Sequence, residues 1–199
     1  MVKEICFVTG NPFKVLHARV ALRDFGVSVV SKQVEMIEPR EEEPEMVTRQ
    51  KALQAFKVLN LPLMVEDSGL FILGLNGFPK TFIHFVERTI GVANIIKMMA
   101  GVDNREVEFH QSLAYIEPGL SGPEIFSYVD GGYTLADRVW ETPSGEGWGE
   151  FDRILIPPGE TKALCTFSPE WRARLDAEKN KNTIHYHQLA KWLSDERGI

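Results

Sequence analysis

The 199-residue sequence predicts an α/β protein in which helices cover the faces of a mixed central sheet. Three observations lead there. Short apolar runs alternate with helix-period stripes through the first half, period-two runs dominate the middle, and helical stripes return at the end. The chain is 44% hydrophobic and 25% charged, a globular balance. A chain of this length can bury roughly 70% of its unfolded surface, so it needs no staples. A net charge of −6 argues against a broad nucleic-acid or membrane surface, while leaving room for a local pocket for a phosphorylated small molecule.

Ile5-Cys6-Phe7-Val8 reads as a buried strand. It stops at Thr9-Gly10-Asn11-Pro12, where Asn11 can cap a helix and Pro12 suits the first helical position. Phe13, Leu16, Val20 and Leu22 mark an apolar stripe on that helix, which Gly26 closes, and Val27 to Val30 is a second strand. Glu35 to Glu45 is an acidic, proline-bearing loop. Pro44 then starts a helix with Ala52, Ala55, Phe56 and Leu59 on one face. Pro62 to Val65 is a third strand, with Glu66-Asp67-Ser68-Gly69 expected at its C-terminal end.

A loop over Gly74 to Pro79 precedes two short helices, around Phe82–Arg88 and Val92–Ala100. Val107, Phe109, Gln111, Leu113 and Tyr115 follow the period of two of a half-exposed strand. Glu124 to Val129, Leu135 to Trp140 and Phe151 to Ile156 are further strand candidates. Ser168 can cap a helix over Pro169–Ala177, and Thr183–Ser194 reads as the last helix. Cys6 and Cys165 fall far apart in apolar surroundings, which predicts reduced, buried thiols and a cytoplasmic protein. The N-terminus lacks a signal-peptide pattern, and no apolar stretch approaches the ~20 residues that would span a bilayer, so a soluble protein without membrane partners is expected.

Five segments carry chemistry. Thr9 to Lys14 joins a strand to a helix N-terminus, where backbone N–H groups and the helix dipole suit a phosphate. The Walker A spacing is missing, and the same turn also reads as a plain strand-to-helix connection with a good cap. Glu66 and Asp67 at a strand end are placed to hold Mg²⁺ through hard oxygens or to orient an attacking water; the alternative is a solvated turn. Within Glu38 to Glu45 most residues read as a solvated loop, with Glu38 the candidate second metal ligand. In Gly147-Trp148-Gly149-Glu150-Phe151-Asp152 an aromatic could stack on a nucleobase and Asp152 could bond its edge or the sugar, although such aromatics also serve as core. Lastly, the lysines and histidines of Glu178 to His187 could meet phosphate or a purine edge, or simply be solvated ahead of a helix. His185 and His187, two apart, do not share a helix face and are not a metal pair.

Taken in order, these pieces resemble the inosine triphosphate pyrophosphatase family, the Ham-type nucleoside triphosphate pyrophosphatases. The resemblance rests on Phe7-Val8-Thr9-Gly10-Asn11 with Lys14, Val65-Glu66-Asp67-Ser68-Gly69-Leu70 and Leu75-Asn76-Gly77-Phe78-Pro79. Asp103-Asn104-Arg105 with Phe109, and Trp148-Gly149-Glu150-Phe151-Asp152 before Ile154, complete it over essentially the whole chain. It implies a single domain over residues 1–199, built as two lobes around a long mixed sheet with a cleft between them, usually in a homodimer. The implied activity is Mg²⁺-dependent hydrolysis of ITP, dITP and XTP to the monophosphate and pyrophosphate, which clears damaged purines from the nucleotide pool.

By the same resemblance Thr9, Gly10, Asn11 and Lys14 hold the phosphates, and Asp67 is the metal-linked general base with Glu38 as second ligand. Ser68 touches substrate, Phe151 and Asp152 line the nucleoside pocket, and the Lys/His segment reads base and phosphate. The chain departs from the family at three places. Lys80 stands for a glycine and Phe82 for a tyrosine. Glu38 aligns with the metal glutamate only after a one-residue slip. His185-Tyr186-His187 follows Lys181 where Ser-His-Arg is expected, whereas one inserted residue gives Lys179 and His185 those roles. A binding protein of this fold without catalysis, or a pyrophosphatase for another nucleotide, are the alternatives these departures suggest.

Overall fold

A computed structural model describes residues 4–141, 149–179 and 184–198. The strands are β1 (Glu4–Val8), β2 (Ser28–Lys32), β3 (Leu63–Ile72), β4 (Pro79–Lys80), β5 (Glu106–Ile116), β6 (Glu124–Leu135) and β7 (Leu155–Ile156). The helices are α1 (Pro12–Arg23), α2 (Pro44–Leu59), α3 (Ile83–Thr89), α4 (Val92–Met98), α5 (Pro169–Lys179) and α6 (His185–Arg197). Among the described residues the strands form one seven-stranded sheet in the order β2-β1-β3-β5-β6-β7, with β4 added to β3. It is mixed, as expected: β1 runs parallel to β2 and β3, whereas β4 pairs antiparallel to β3 and β7 to β6.

The chain divides into two compact units, 1–68 with 111–128 and 182–199, and 69–110 with 129–181. In the first unit the strand alternation accounts for both faces of the sheet. Ile5, Phe7, Met64, Leu113 and Tyr115 join α1 and α6 in one core, while Cys6, Val8, Leu63, Val65, Ala114 and Ile116 join α2 in another. A strand covered on both sides must be apolar throughout, which is why β1 reads as a continuous hydrophobic run. In the second unit one core gathers Leu70 and Ile72 of β3, Val107 of β5, Tyr133 and Leu135 of β6, the apolar sides of α3 and α4, and Phe151, Ile154 and Leu155. On the other side of its strands Phe71 stacks on His110 at 3.8 Å between ring centroids.

Several expectations are corrected. The buried side of α1 is Val15, Ala18, Ala21 and Leu22, whereas Leu16 and Val20 are 57% and 56% exposed; the side chain of Phe13 lies outside the described part. Two alanines of α1 are buried in the core it shares with β1 and α6, and a stripe drawn through the larger residues misses them. β3 continues to Ile72, so Glu66 to Gly69 sit within a strand and not at its end. β6 reaches only Leu135, so Ala136 to Trp140 is not strand. Glu150–Arg153 is a 3₁₀ turn, leaving only Leu155–Ile156 as strand in that segment. The caps stand as expected: Asn11 Oδ1 accepts from the Lys14 amide at 3.3 Å and Ser168 Oγ from the Trp171 amide at 3.3 Å.

Two motif positions have backbone reasons. A Cβ on Gly69 would lie 3.0 Å from the Lys80 carbonyl, so glycine admits β4 against β3. Lys80 itself has φ +57°, the left-handed region that glycine enters without steric cost. The glycine that the resemblance places here would enter this conformation freely, whereas this chain holds a lysine in it.

Candidate functional site

The site grows from the parallel pairing of β1 and β3, whose register ends at Phe7↔Met64. Two residues further along each strand stand Thr9 and Glu66, so the turn into α1 and the Glu66-Asp67-Ser68 segment come out beside one another. This is the carboxyl end of β1, where open α/β sheets bind ligands. Within the turn, Thr9 Oγ1 accepts from the Asn11 amide at 3.0 Å, and Asn11 in turn caps α1. Gly10 and Asn11 are exposed, which leaves the helix N-terminus facing solvent.

Lys14, one turn into α1, reaches back to β3. Its Nζ lies 3.3 Å from Glu66 Oε1 and 3.3 Å from the Glu66 carbonyl. The Glu66 side chain is only 7% exposed. Tyr186 of α6 donates its hydroxyl to Glu66 Oε2, and His185 Nε2 stands 3.5 Å from the same oxygen. Burial alone would raise the Glu66 carboxyl, but Lys14, His185 and Tyr186 outweigh it and lower it from 4.5 to about 2. Burial and the Glu66 charge push the Tyr186 phenol up, which keeps it a neutral donor.

A folded-state value below the unfolded one means that Glu66 contributes stability above about pH 4.5, and that this stability is lost as pH falls toward about 2. The wild-type protein is expected to lose on the order of 3 kcal/mol through this group over that range. Urea unfolding at stepped pH should show the loss, and Glu66→Gln should show a shallower one. Identical slopes for the two proteins would exclude the assignment.

Asp67 faces α2. Its Oδ2 lies 2.5 Å from Lys51 Nζ, its Oδ1 accepts from the Ser68 amide at 2.8 Å, and Lys51 Nζ also meets Glu38 Oε1 at 2.6 Å. Burial alone would lower the Lys51 ammonium, yet Asp67 and Glu38 reverse this and raise it. Glu38 is held there by its neighbour: Gln54 of α2 accepts from the Ile37 amide at 2.8 Å and donates to the Ile37 carbonyl at 3.0 Å. Further along, Glu41 accepts from Gln50 at 2.8 Å and Glu45 from Ser127 at 2.5 Å. Part of the acidic loop is thus tied down and not simply solvated.

Asp67 and Glu38 therefore converge on one cation, here the Lys51 ammonium. Two hard carboxylates of this kind suit Mg²⁺, which keeps waters and takes phosphate oxygens to complete its shell. Among the described residues no group of three or more His, Cys, Asp or Glu is placed to hold a metal ion.

Sequence reasoning missed Lys51 and the task of Glu66. Lys51 had a readable signal: Val47, Lys51 and Ala55 recur every four residues on the buried side of α2, and a lysine in that line must find a partner inward.

The remaining candidates are placed as follows. His185 is 2% exposed against Glu66, and neither of its ring nitrogens has a conventional hydrogen-bond partner; the same holds for His187 Nδ1. Phe151 is 4% exposed in the core of the second unit. Asp152 there accepts from Arg172 Nη1 at 2.6 Å, while Arg172 Nη2 donates to the Leu164 carbonyl at 2.6 Å. Lys179 ends α5, and its side chain, like Lys181, lies outside the described residues. Both cysteines are free and buried, as expected, and burial raises both thiols.

Fold and site together define an α/β protein in which the strand-to-helix turn after β1 lies beside a lysine–carboxylate centre within β3. The Ham1 family model matches residues 5–180, and the chain belongs to that family. It is 32% identical to a dITP/XTP pyrophosphatase of Methanopyrus kandleri over 96% of this chain and 97% of the relative. Against that of Methanosarcina acetivorans identity is 40% over 79% of this chain and 83% of the other. Among solved structures, a HAM1 protein from Coxiella burnetii superposes with a TM-score of 0.75 at 23% identity, over 96% and 98% of the two chains. The Staphylococcus aureus Ham1 protein does so with 0.70 at 21%, over 98% and 100%. At those identities the two structures show the shared fold alone. No helix among the described residues is long and apolar enough to cross a membrane.

Proposed function

We propose that this chain is a nucleoside triphosphate pyrophosphatase that hydrolyses deaminated purine triphosphates, namely ITP, dITP and XTP, to the monophosphate and pyrophosphate. Its role is to remove such nucleotides from the precursor pool. The observation that carries this reading is the pair of lysine–carboxylate contacts, Lys14 with Glu66 and Lys51 with Asp67, beside the turn at Thr9 to Lys14. The dITP/XTP pyrophosphatase names of its relatives support the same substrate class.

Lys14 and the exposed amides at the start of α1 bind triphosphate oxygens, and Ser68 stands next to the reacting centre. Asp67 orients and deprotonates the attacking water; Lys51 fixes its carboxylate and restrains charge at the same point. Asp67 and Glu38 would hold Mg²⁺, which would neutralise triphosphate charge there. Phe151 and Asp152, with Lys179, Lys181, His185 and His187, are the candidates for the nucleoside and its base. Cytoplasmic action fits the free buried thiols, and a homodimer is the assembled form the family resemblance suggests.

The test is pyrophosphate release from ITP, XTP, dITP and ATP with Mg²⁺. Fast release from the keto purines and slow release from ATP is expected, because a site built to bond one base edge leaves buried groups unpaired with the other. Nucleotide binding without any release would make the chain a binding protein of this fold. Lys14→Ala is expected to raise KM for the triphosphate about tenfold or more with a smaller change in kcat, since it removes one charge-assisted phosphate contact. An unchanged KM would take Lys14 out of the phosphate site.

A further inference from the structure

The first turn of α6 reaches Lys14 at both ends of that residue. Tyr186 donates its hydroxyl to Glu66 Oε2, and the same oxygen atom of Tyr186 lies 3.4 Å from the Lys14 carbonyl. The other Glu66 carboxylate oxygen and the Glu66 carbonyl each hold the Lys14 ammonium at 3.3 Å. Packing determines where this hydroxyl points. The Tyr186 ring is 3% exposed, and Phe7, fully buried in β1, meets it edge-on at 6.2 Å and 74° between planes. His185 lies against it, with ring centroids 4.3 Å apart, and faces Glu66 as well.

From this geometry we infer that Tyr186 is a positioning residue for the triphosphate, acting through Glu66 on Lys14; the inference rests on Lys14 being a phosphate ligand. A lysine side chain has four rotatable bonds and loses considerable rotamer freedom when it binds an anion. Glu66 restricts that freedom beforehand, and Tyr186 restricts Glu66, so less is lost when phosphate arrives. The segment that departs from the family's Ser-His-Arg ending thus has a task in this chain: it anchors the phosphate lysine from a helix far away in sequence. Asp67 and Lys51 make none of these contacts, so the effect falls on binding and not on the chemical step.

Tyr186→Phe keeps the ring in its core position and deletes only the hydroxyl. With ITP and Mg²⁺ it is expected to raise KM about five- to tenfold while kcat stays within about twofold. Glu66→Gln should act in the same direction. In a Lys14→Ala background Tyr186→Phe should add less than about twofold, because its route to the phosphate has been removed. An unchanged KM, or an effect that persists in full on top of Lys14→Ala, would overturn the inference. A merely structural role would lower Tm without this dependence on Lys14.

Should Tyr186→Phe fail to fold, Glu66→Gln carries the same cycle. Should the wild type release no pyrophosphate from any triphosphate, the proposed activity falls, and calorimetric binding of Mg²⁺–tripolyphosphate to the same variants decides this inference alone. Weaker binding by Tyr186→Phe that Lys14→Ala abolishes supports it, and equal binding by wild type and Tyr186→Phe refutes it.

Discussion

Asp67→Asn is expected to lower pyrophosphate release about a thousandfold or more while leaving the fold in place. The substitution keeps the side chain's shape and removes its charge, and with it the proposed general base, whose contribution in such reactions is about 10² to 10⁴. It also alters the Lys51 centre. The ammonium, paired with Asp67 at 2.5 Å and Glu38 at 2.6 Å, would retain Glu38 alone. Raising the metal concentration should not restore the rate, because it can offset a weaker proposed Mg²⁺ site but cannot replace the proposed base. Because Glu38 still pairs with Lys51, Tm should change little, within about the effect of 1 kcal/mol. Wild-type turnover in this variant would remove Asp67 from the mechanism. A parallel fall in Tm and activity would make its role structural instead.

Arg172→Ala should destabilise the protein by about 3 to 5 kcal/mol, a cost typical of removing one member of a buried ion pair. Arg172 and Asp152 have side chains only 6% and 7% exposed, and the guanidinium spans the Asp152 carboxylate and the Leu164 carbonyl at 2.6 Å each. That fork ties α5 to the turn carrying Phe151 and Asp152. Arg172→Lys keeps the charge but cannot reproduce the planar fork, so it should recover only part of the loss. Urea unfolding measures both variants. A loss below about 1 kcal/mol for the alanine variant would show that the pair adds little beyond a hydrophobic contact. The consequence for function is indirect: Asp152, offered by the resemblance as a nucleoside contact, is a carboxylate that the fold also uses to hold α5.

Local chemistry made much of this protein legible beforehand. β1 is apolar from Ile5 to Val8 because both faces of the strand are covered there, and α1 begins where Asn11 and Pro12 stand because a cap and a fixed φ act over a few residues. The same holds for Ser168 before α5. Thr9 to Lys14 and Glu66 to Gly69 are short segments that the sequence marks as candidates, while it leaves their contacts open. What depended on distance was read less well. The extent of β3 and β6 and the loss of the strand at Ala136 to Trp140 follow from which neighbour each backbone meets, and period alone does not report that.

The sequence by itself determined that β1 is a buried strand, where α1, α2 and α5 begin, and the candidate turn and carboxylates beside it, since each depends on residues close in the chain. Only the tertiary structure decided that Lys51 holds Asp67 and Glu38, that Glu66 is the carboxylate restraining Lys14, and that Tyr186 reaches it from α6. These pairings join residues up to 120 positions apart. Their partners are selected by the register of β1 on β3 and by the packing of α2 and α6 on opposite faces of the sheet, and a lysine or tyrosine carries no local mark of which carboxylate that packing will bring to it.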